Sequence, residues 1–225
     1  MPDLVRAEFH CHTLYSKDSL MRVEDLLAAC RKKGIDRLAI TDHNSIQGAL
    51  HAQKLDPGRV IVGEEIMTLK GELLAFFVVE QVPKNLPPLE AIRRLREQGA
   101  FISVSHPYDR LRKGAWALPD LLEIAPLVDA VETFNARCLR KRTNELAQAF
   151  AAKHNLPGTA GSDAHSLLEV GRATLLLPDF HNPAELKDAL LKAHPQAQLS
   201  ASWVHLTSTY AKLRRRIWKR DLPKL

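Results

Sequence analysis

Histidines and carboxylic acids stand at the ends of several short apolar runs in this chain. The first are His10 and His12, two residues apart in Phe-His-Cys-His. Side chains at positions i and i+2 of a β-strand point to the same side, so these two imidazoles can bind one metal ion. An isolated His-X-His pair is as often a pair of exposed strand histidines, so this prediction needs support from other parts of the chain.

Four later apolar runs end in the same residue types. They are followed by Asp42, His43 and Asn44, by Glu64 and Glu65, by His106, and by Asp163 and His165. Because the carboxyl ends of parallel barrel strands share one face, we expect these side chains to converge. Converged carboxylates repel one another and are costly to desolvate unless a cation lies between them. Mixed imidazole and carboxylate ligands suit Zn²⁺, Mn²⁺ or Fe²⁺ better than Ca²⁺ or Mg²⁺ alone.

The elements that would position these residues alternate between strands and helices. Seven strands are predicted, at 7–12, 37–41, 60–63, 73–79, 101–105, 128–134 and 158–161. Seven helices are predicted, at 23–33, 45–55, 89–98, 118–124, 139–154, 183–193 and 206–220. This alternation predicts an α/β fold with a mainly parallel sheet, and seven strands suit a closed or nearly closed barrel.

Length and composition predict one domain without a membrane span. The 225 residues fit a single α/β barrel, and no run reaches the roughly 18–20 apolar residues of a membrane helix. The first residues lack the basic and apolar regions of a signal peptide. The three cysteines are widely spaced, which favours neither a disulfide framework nor a zinc knuckle. We therefore expect a protein of the reducing cytoplasm.

Positive charge is concentrated in the last twenty residues of the chain. Residues 206–225 hold seven of the 32 basic residues and one of the 26 acids, so the rest of the chain is neutral. Leu206, Tyr210, Leu213 and Ile217 form one stripe of a basic amphipathic helix. The stripe predicts a helix docked on the barrel with a solvated basic face. Attraction of a polyanion such as an oligonucleotide, or contact with an acidic partner or a membrane surface, is the alternative.

The ordered motifs resemble the PHP (polymerase and histidinol phosphatase) superfamily of metal-dependent phosphoesterases. The motifs are FHCHTLYSKDS, TDHNSI, GEEI, SHP and GSDAH, within residues 9–165. ETFNAR at 132–137 and GSDAHSLLEVG at 161–171 are similar to a subgroup of stand-alone bacterial and archaeal members. The resemblance implies a distorted (β/α)7 TIM-like barrel, here a single domain over 1–225.

The resemblance also implies a role for each matching residue. His10, His12 and Asp163 would bind a first metal ion, Glu65 would bridge two ions, and His106 would bind the second. Asp18, His43 and His165 would form a further site. Glu72 stands where many members have a histidine ligand, and we expect it to bind metal. Asp42 and Asn44 would orient imidazoles. Two or three divalent ions, of Mn, Zn or Fe, are expected in all.

The expected activity is hydrolysis of a small phosphomonoester, or of a nucleotide or oligonucleotide phosphate, through a metal-bound hydroxide. Arg137 is predicted to bind the substrate phosphate, and His43 or His165 to give the leaving group its proton. The chain has neither a GxxxxGK[ST] loop nor a GxSxG motif. A non-catalytic, metal-stabilised binding module and a metal-dependent C–N hydrolase of the amidohydrolase kind are the alternatives. The oligomeric state stays open.

Overall fold

The computed structural model describes residues 4–217, which form nine strands and seven α-helices. The strands are β1 (Leu4–Cys11), β2 (Arg37–Ile40), β3 (Val60–Met67), β4 (Glu72–Phe76), β5 (Phe101–Val104), β6 (Ala130–Asn135), β7 (Gly158–Gly161), β8 (Ala173–Pro178) and β9 (His194–Ala197). The helices are α1 (Val23–Lys32), α2 (Gln47–Leu55), α3 (Pro88–Glu97), α4 (Leu118–Ile124), α5 (Lys141–Lys153), α6 (Pro183–Leu190) and α7 (Val204–Ile217). All fourteen predicted elements are present, and β8 and β9 are additional. No helix in the described range is long and apolar enough to cross a membrane.

The nine strands form one sheet in the order β7-β6-β5-β4-β3-β2-β1-β8-β9. Strands β1 to β3 are parallel to one another, and so are β5 to β7. Strand β4 is antiparallel to β3 and β5, and β8 is antiparallel to β1 and β9. Of the seven predicted strands only β4 departs from the parallel direction, and the two strands that were not predicted, β8 and β9, add further antiparallel pairs. Only residues 68–71 join β3 to β4, and so short a connection permits only an antiparallel pair.

The sheet curls until β7 approaches β1, which gives a nearly closed barrel. Strand β1 pairs with β8 over Leu4–Ala7, and beyond that point Cys11 forms a parallel bridge with Ala164. His12 N donates to Ala164 O at 2.9 Å across the same seam. The predicted distorted barrel is confirmed, and its seam closes at the end where the predicted ligands lie.

Aromatic rings fill the barrel below that end. The inner apolar cluster includes Phe9, Phe76, Phe101 and Phe180. The ring centroids of Phe9 and Phe76 are 5.3 Å apart, and those of Phe76 and Phe101 are 6.0 Å apart. The pairing of β1 with β2 shifts register between Glu8 and Cys11, and such a bulge re-aims the side chains that follow it. The bulge lies where the apolar layer gives way to the polar mouth.

Helix α7 docks through a face other than the predicted one. Val204, Ser208 and Ala211 are buried. The predicted docking stripe is 55–68% exposed and comprises Leu206, Tyr210, Leu213 and Ile217. The two sets are offset by two residues, about 200° around a helix, so this prediction is wrong. The barrel surface under α7 is polar, which favours the face that carries Ser208. Residues 218–225 of the basic tail lie outside the described part of the chain.

Candidate metal centre

Five histidines and four carboxylic acids meet at the mouth of the barrel. They are His10, His12, His43, His106 and His165 with Asp18, Glu65, Glu72 and Asp163, which is every residue predicted to bind metal. All are buried except His43, whose side chain is 19% exposed. Residues separated by as many as 155 positions in the chain therefore share one small polar volume inside an apolar barrel.

The strands explain how these side chains reach the mouth. His43 follows β2 and forms a parallel bridge with Glu65, which lies inside β3 rather than after its end. Glu72 opens β4, and because β4 is antiparallel its first residue lies at the same end of the barrel as the last residues of β3. Asp163 follows β7 with φ = 51°, a left-handed conformation that aspartate tolerates better than most residues.

Glu65 is the centre of the cluster because its carboxylate faces four imidazoles. Its Oε1 lies 3.3 Å from His10 Nε2 and 3.2 Å from His106 Nε2. Its Oε2 lies 2.9 Å from His43 Nδ1 and 3.4 Å from His12 Nε2. The carboxylate therefore contacts rings that belong to more than one of the predicted ion sites, as a residue that bridges cations would.

Asp163 belongs to the part of the cluster formed by β1. Its Oδ1 is 3.2 Å from His12 Nε2 and 3.7 Å from His10 Nε2. One ligand atom from each of these three residues lies within 4.8 Å of the others, close enough to hold a single ion.

Two further groups extend the cluster toward solvent. Asp18 faces His43 Nε2 through Oδ2 at 3.4 Å and His165 Nε2 through Oδ1 at 3.5 Å. Glu72 lies 3.5 Å from His106 Nε2 and 3.8 Å from His43 Nδ1. The sets His12–His43–His165 and His43–Glu65–Glu72 each have ligand atoms within 4.8 Å of one another.

The buried polar atoms of the cluster are incompletely satisfied by protein. In the described part of the chain His10 Nε2, His12 Nε2, Asp18 Oδ1 and Glu65 Oε2 have no hydrogen-bond partner. Buried polar atoms almost always have a hydrogen-bond partner, and a group of unpartnered atoms that are all of metal-ligand type fits a site for cations. The residues present therefore fit divalent metal ions.

The electrostatics of the two strand histidines differ although they are two residues apart. Burial lowers the pKa of both. In His10 the carboxylates of Glu65, Asp163 and Glu132 outweigh burial and hold the pKa well above its usual value. In His12 the neighbouring His165 and His43 reinforce burial, and its pKa falls to about 3. His12 is therefore neutral at physiological pH, the form in which imidazole binds metal.

The carboxylates at the centre stay ionised despite their burial. Burial raises the pKa of Glu65, but His10 and His43 outweigh it and hold that pKa well below the usual value. Asp163 has a lowered pKa because Arg112 and His10 outweigh burial in the same way. Ionised oxygens next to a neutral imidazole are the ligand set that a divalent cation requires.

Glu132 supports the cluster and was missed by the sequence analysis. Its Oε1 is 2.9 Å from His10 Nδ1, and its Oε2 accepts hydrogen bonds from His106 N at 2.8 Å and Asn135 Nδ2 at 3.1 Å. A carboxylate on Nδ1 fixes the ring so that Nε2 faces the ion. The motif ETFNAR contains Glu132, but only its arginine was given a role.

Among the described residues, Asp42 and Asn44 form no direct hydrogen bond to an imidazole, the contact through which they were predicted to orient the rings. Asp42 accepts hydrogen bonds from Thr13 N and Oγ1, each at 2.6 Å, and from Ser16 Oγ at 2.7 Å. Ser16 Oγ is 3.1 Å from His12 Nδ1, so Asp42 acts on a ring only through Ser16. Asn44 Oδ1 accepts from Met67 N at 2.9 Å and ties two strand ends together.

Arg137 is buried and bound to other protein groups rather than open to a substrate. It is 5% exposed, its Nε lies 3.1 Å from Glu169 Oε1, and its Nη1 lies 2.6 Å from His165 Nδ1. Its Nη2 donates to Ser208 Oγ on α7 at 3.1 Å. These contacts position His165 and α7, so the predicted phosphate clamp has little free donor capacity.

Arg112 is the more accessible arginine at the mouth. Its side chain is 23% exposed, pairs with Asp163 and lies 3.0 Å from Asp109 Oδ2. It belongs to the loop that follows His106. The run YDRLRKG gives no periodic signal, so the sequence alone did not identify it.

A cavity of about 650 Å³ opens above the cluster. Six cluster residues line it, namely Asp18, His43, Glu72, His106, Asp163 and His165, together with six cations, Lys17, Lys84, Arg112, Lys113, Arg137 and Lys212. Anionic ligands at the floor and cations on the walls suit a substrate that presents a phosphate to bound metal.

Fold and site together define a distorted α/β barrel whose mouth can hold several divalent cations. Comparison with known proteins agrees. The PHP domain model matches residues 8–74, and a model described as PHP-associated matches residues 141–195. The chain belongs to the PHP family.

Similar proteins have been found in archaea and bacteria. An uncharacterized protein of Methanocaldococcus jannaschii is 36% identical over 206 residues, covering 84% of this chain and 83% of its own. A second uncharacterized protein from that organism is 39% identical over 145 residues, which cover 59% of this chain and 82% of that protein. A solved two-domain protein from Bacteroides vulgatus, which contains a predicted PHP-like metal-dependent phosphoesterase, has a TM-score of 0.71 and 16% identity, covering 93% of this chain and 70% of that one. At that identity the likeness concerns the fold alone.

Proposed function

We propose that the protein is a metal-dependent phosphoesterase that hydrolyses a small phosphomonoester or a nucleotide or oligonucleotide phosphate. The observation that carries the proposal is the buried cluster of imidazoles and carboxylates with unpartnered ligand atoms, open to a cavity with cationic walls. PHP membership supports the same activity. The chain would act as one domain, as its length suggests.

The ligand assignment is the one that the family resemblance implies, and the contacts are compatible with it. His10, His12 and Asp163 would hold one ion, and Glu65 would share that ion with a second held by His106 and Glu72. A third would have Asp18, His43 and His165. We therefore retain two or three ions, with Mn, Zn or Fe as the metals that suit this ligand set.

Bound divalent cations would supply Lewis acidity, which brings the pKa of water toward neutrality and offsets phosphate charge. The chain's own residues hold the substrate. Arg112 can offer a guanidinium to phosphate oxygens from the cavity wall, and Glu132 keeps His10 oriented. The apolar layer of Phe9 and Phe76 closes the floor against bulk water.

His43 and His165 are better suited to ligation than to the predicted transfer of a proton to the leaving group. His43 Nε2 and Nδ1 face Asp18 and Glu65, respectively. His165 Nε2 faces Asp18, while its Nδ1 is 2.8 Å from Asp163 O. Each ring thus has both nitrogens engaged, and after ligation through one of them the proton on the other would be held by a protein oxygen rather than offered to a leaving group.

Phosphate release is the test. The purified chain, loaded with Mn²⁺, Zn²⁺ or Fe²⁺, is assayed on mononucleotides, nucleoside bisphosphates, short oligonucleotides and sugar phosphates. We expect metal-dependent turnover of at least one class and loss of that turnover in Glu65→Gln. Absence of turnover across the panel in a metal-loaded protein would favour the non-catalytic module. Hydrolysis of amides with inert phosphoesters would favour the C–N hydrolase.

A further inference from the structure

Helix α7 crosses the mouth of the barrel and places a lysine against the cluster. Lys212 Nζ lies 3.3 Å from Asp18 Oδ2, and its side chain is half exposed and lines the cavity. Helix α7 lies outside both segments that the family models match. The matched segments therefore do not include this lysine.

Polar contacts fix the position of α7 over the mouth. Arg215 donates to Leu14 O and, at 3.2 Å, to Ser19 O, which are backbone carbonyls of the loop that carries Asp18. At the other end of the helix Ser208 Oγ accepts from Arg137, and His205 Nε2 lies 3.1 Å from Arg137 O. The two ends are fastened on either side of Lys212.

The net charge of the metal-loaded site favours a further cation beside a bound phosphate, and Lys212 can supply it. The four carboxylates of the cluster and Glu132 beside His10 carry five negative charges, so even three divalent ions leave an excess of only one positive charge. A dianionic phosphate that enters this buried volume then needs further cations. Arg112 would keep Asp109 and Arg137 would keep Glu169 as carboxylate partners, whereas the carboxylate partner of Lys212 is Asp18, whose oxygens would be taken over by metal.

We propose that Lys212 is a substrate-binding residue, which leaves Asp18 when metal binds and donates to the substrate phosphate. This deepens, and rests on, the phosphoesterase function proposed above. Lysine binds phosphate as a point charge with three donors, so it can follow the phosphate without a fixed geometry. Helix α7 then acts as the element that delivers this ammonium group to the mouth.

The test compares Lys212→Gln and Lys212→Arg with Arg214→Gln in the full, Mn²⁺-loaded chain. Arg214 is an exposed residue of the same helix that does not line the cavity, so it controls for the charge of α7. Calorimetric titration with inorganic phosphate gives a dissociation constant without any need for turnover. We expect Lys212→Gln to weaken phosphate binding about 10- to 100-fold, the range for a hydrogen bond to a charged group. We expect Lys212→Arg to restore most of the affinity and Arg214→Gln to leave it within about twofold.

A second readout separates substrate binding from metal binding. On any ester that the wild type hydrolyses, Lys212→Gln should raise KM more than it lowers kcat, while the Mn²⁺ affinity does not fall. The proposal is overturned if wild type does not bind phosphate, if Lys212→Gln binds it equally well, or if the variant binds Mn²⁺ more tightly and turns over faster. The last result would make Lys212 a competitor of the metal.

The two proposals can fail separately. If no ester is hydrolysed but phosphate binds in a Lys212-dependent way, the phosphoesterase function fails and the lysine's role stands. If esters are hydrolysed and wild type and Lys212→Gln bind phosphate with equal affinity, the phosphoesterase function stands and the role proposed for Lys212 fails.

Discussion

Two adjacent buried glutamates allow a sharp test of the metal centre. Glu65 faces four imidazoles, whereas Glu64 points away from them and accepts a hydrogen bond from Val82 N at 3.0 Å. Glutamine preserves the size of either side chain, and at position 65 it also removes a negative charge. Glu65→Gln should therefore lose metal binding, and Glu64→Gln should retain it.

The size of the effect follows from linkage. At a Mn²⁺ concentration 100 times its dissociation constant, binding stabilises the native state by about 2.7 kcal/mol. In a chain of this length 1 kcal/mol raises the melting temperature by about 2–4 °C, so wild type should shift by about 5–11 °C. Loss of a carboxylate shared by two ions should cost at least the roughly 100-fold upper range seen for supporting residues. At the same Mn²⁺ concentration, binding would then stabilise Glu65→Gln by only about 0.4 kcal/mol, which raises its melting temperature by about 1–2 °C.

The assay is thermal unfolding with and without Mn²⁺, each variant being compared with its own metal-free state. This design removes any effect of the substitution on the metal-free fold. Equal shifts in wild type and Glu65→Gln would refute the bridging role. Equal loss in Glu64→Gln and Glu65→Gln would indicate general damage to β3 instead.

Three further predictions concern the surroundings of the cluster. Glu132→Gln should weaken Mn²⁺ binding about 10- to 100-fold in a metal titration, because the Nδ1 partner of His10 is lost, and unchanged affinity would exclude an orienting role. Gly114→Ala should also weaken it while the protein stays folded by circular dichroism, since the new Cβ would overlap the Glu72 carboxylate; unaltered binding would count against Glu72 as a ligand. Burial raises the pKa of Glu64 to about 8, so its protonated form stabilises the fold at low pH, and stability is lost as pH rises from about 4.5 to 8. Glu64→Gln should remove this pH dependence of the free energy of unfolding, which amounts to about 1.4 kcal/mol per pH unit. Urea unfolding over that pH range measures it, and an unchanged slope of unfolding free energy against pH would contradict the raised pKa of Glu64.

Strand register explains why so much of the site could be predicted from the sequence. Each of His10, His43, His106 and Asp163 lies on or directly after a short apolar run, and parallel strands bring such ends together. Glu72 is different, because it begins a strand. The resemblance identified it, but its reach depends on β4 being antiparallel, which the apolar pattern alone does not encode.

The residues that were missed or misassigned depend on tertiary contacts rather than on register. Arg112 lies in an irregular loop, and its approach to Asp163 is set by that loop's fold. The position of Lys212 depends on which face of α7 docks on the barrel. The apolar stripe indicated the wrong face, because the helix instead buries the face whose Ser208 accepts a hydrogen bond from Arg137 at the mouth. Strand β9, His-Pro-Gln-Ala, is a mostly exposed edge strand without apolar alternation, so no period-two signal marks it.

Anomalous diffraction from a crystal grown with excess Mn²⁺ tests the central claim most directly. Two or three anomalous peaks are expected among the cluster residues, with Glu65 between two of them and Asp163 beside His10 and His12. A well-ordered mouth without an anomalous peak among these side chains would contradict the metal centre and the function proposed from it.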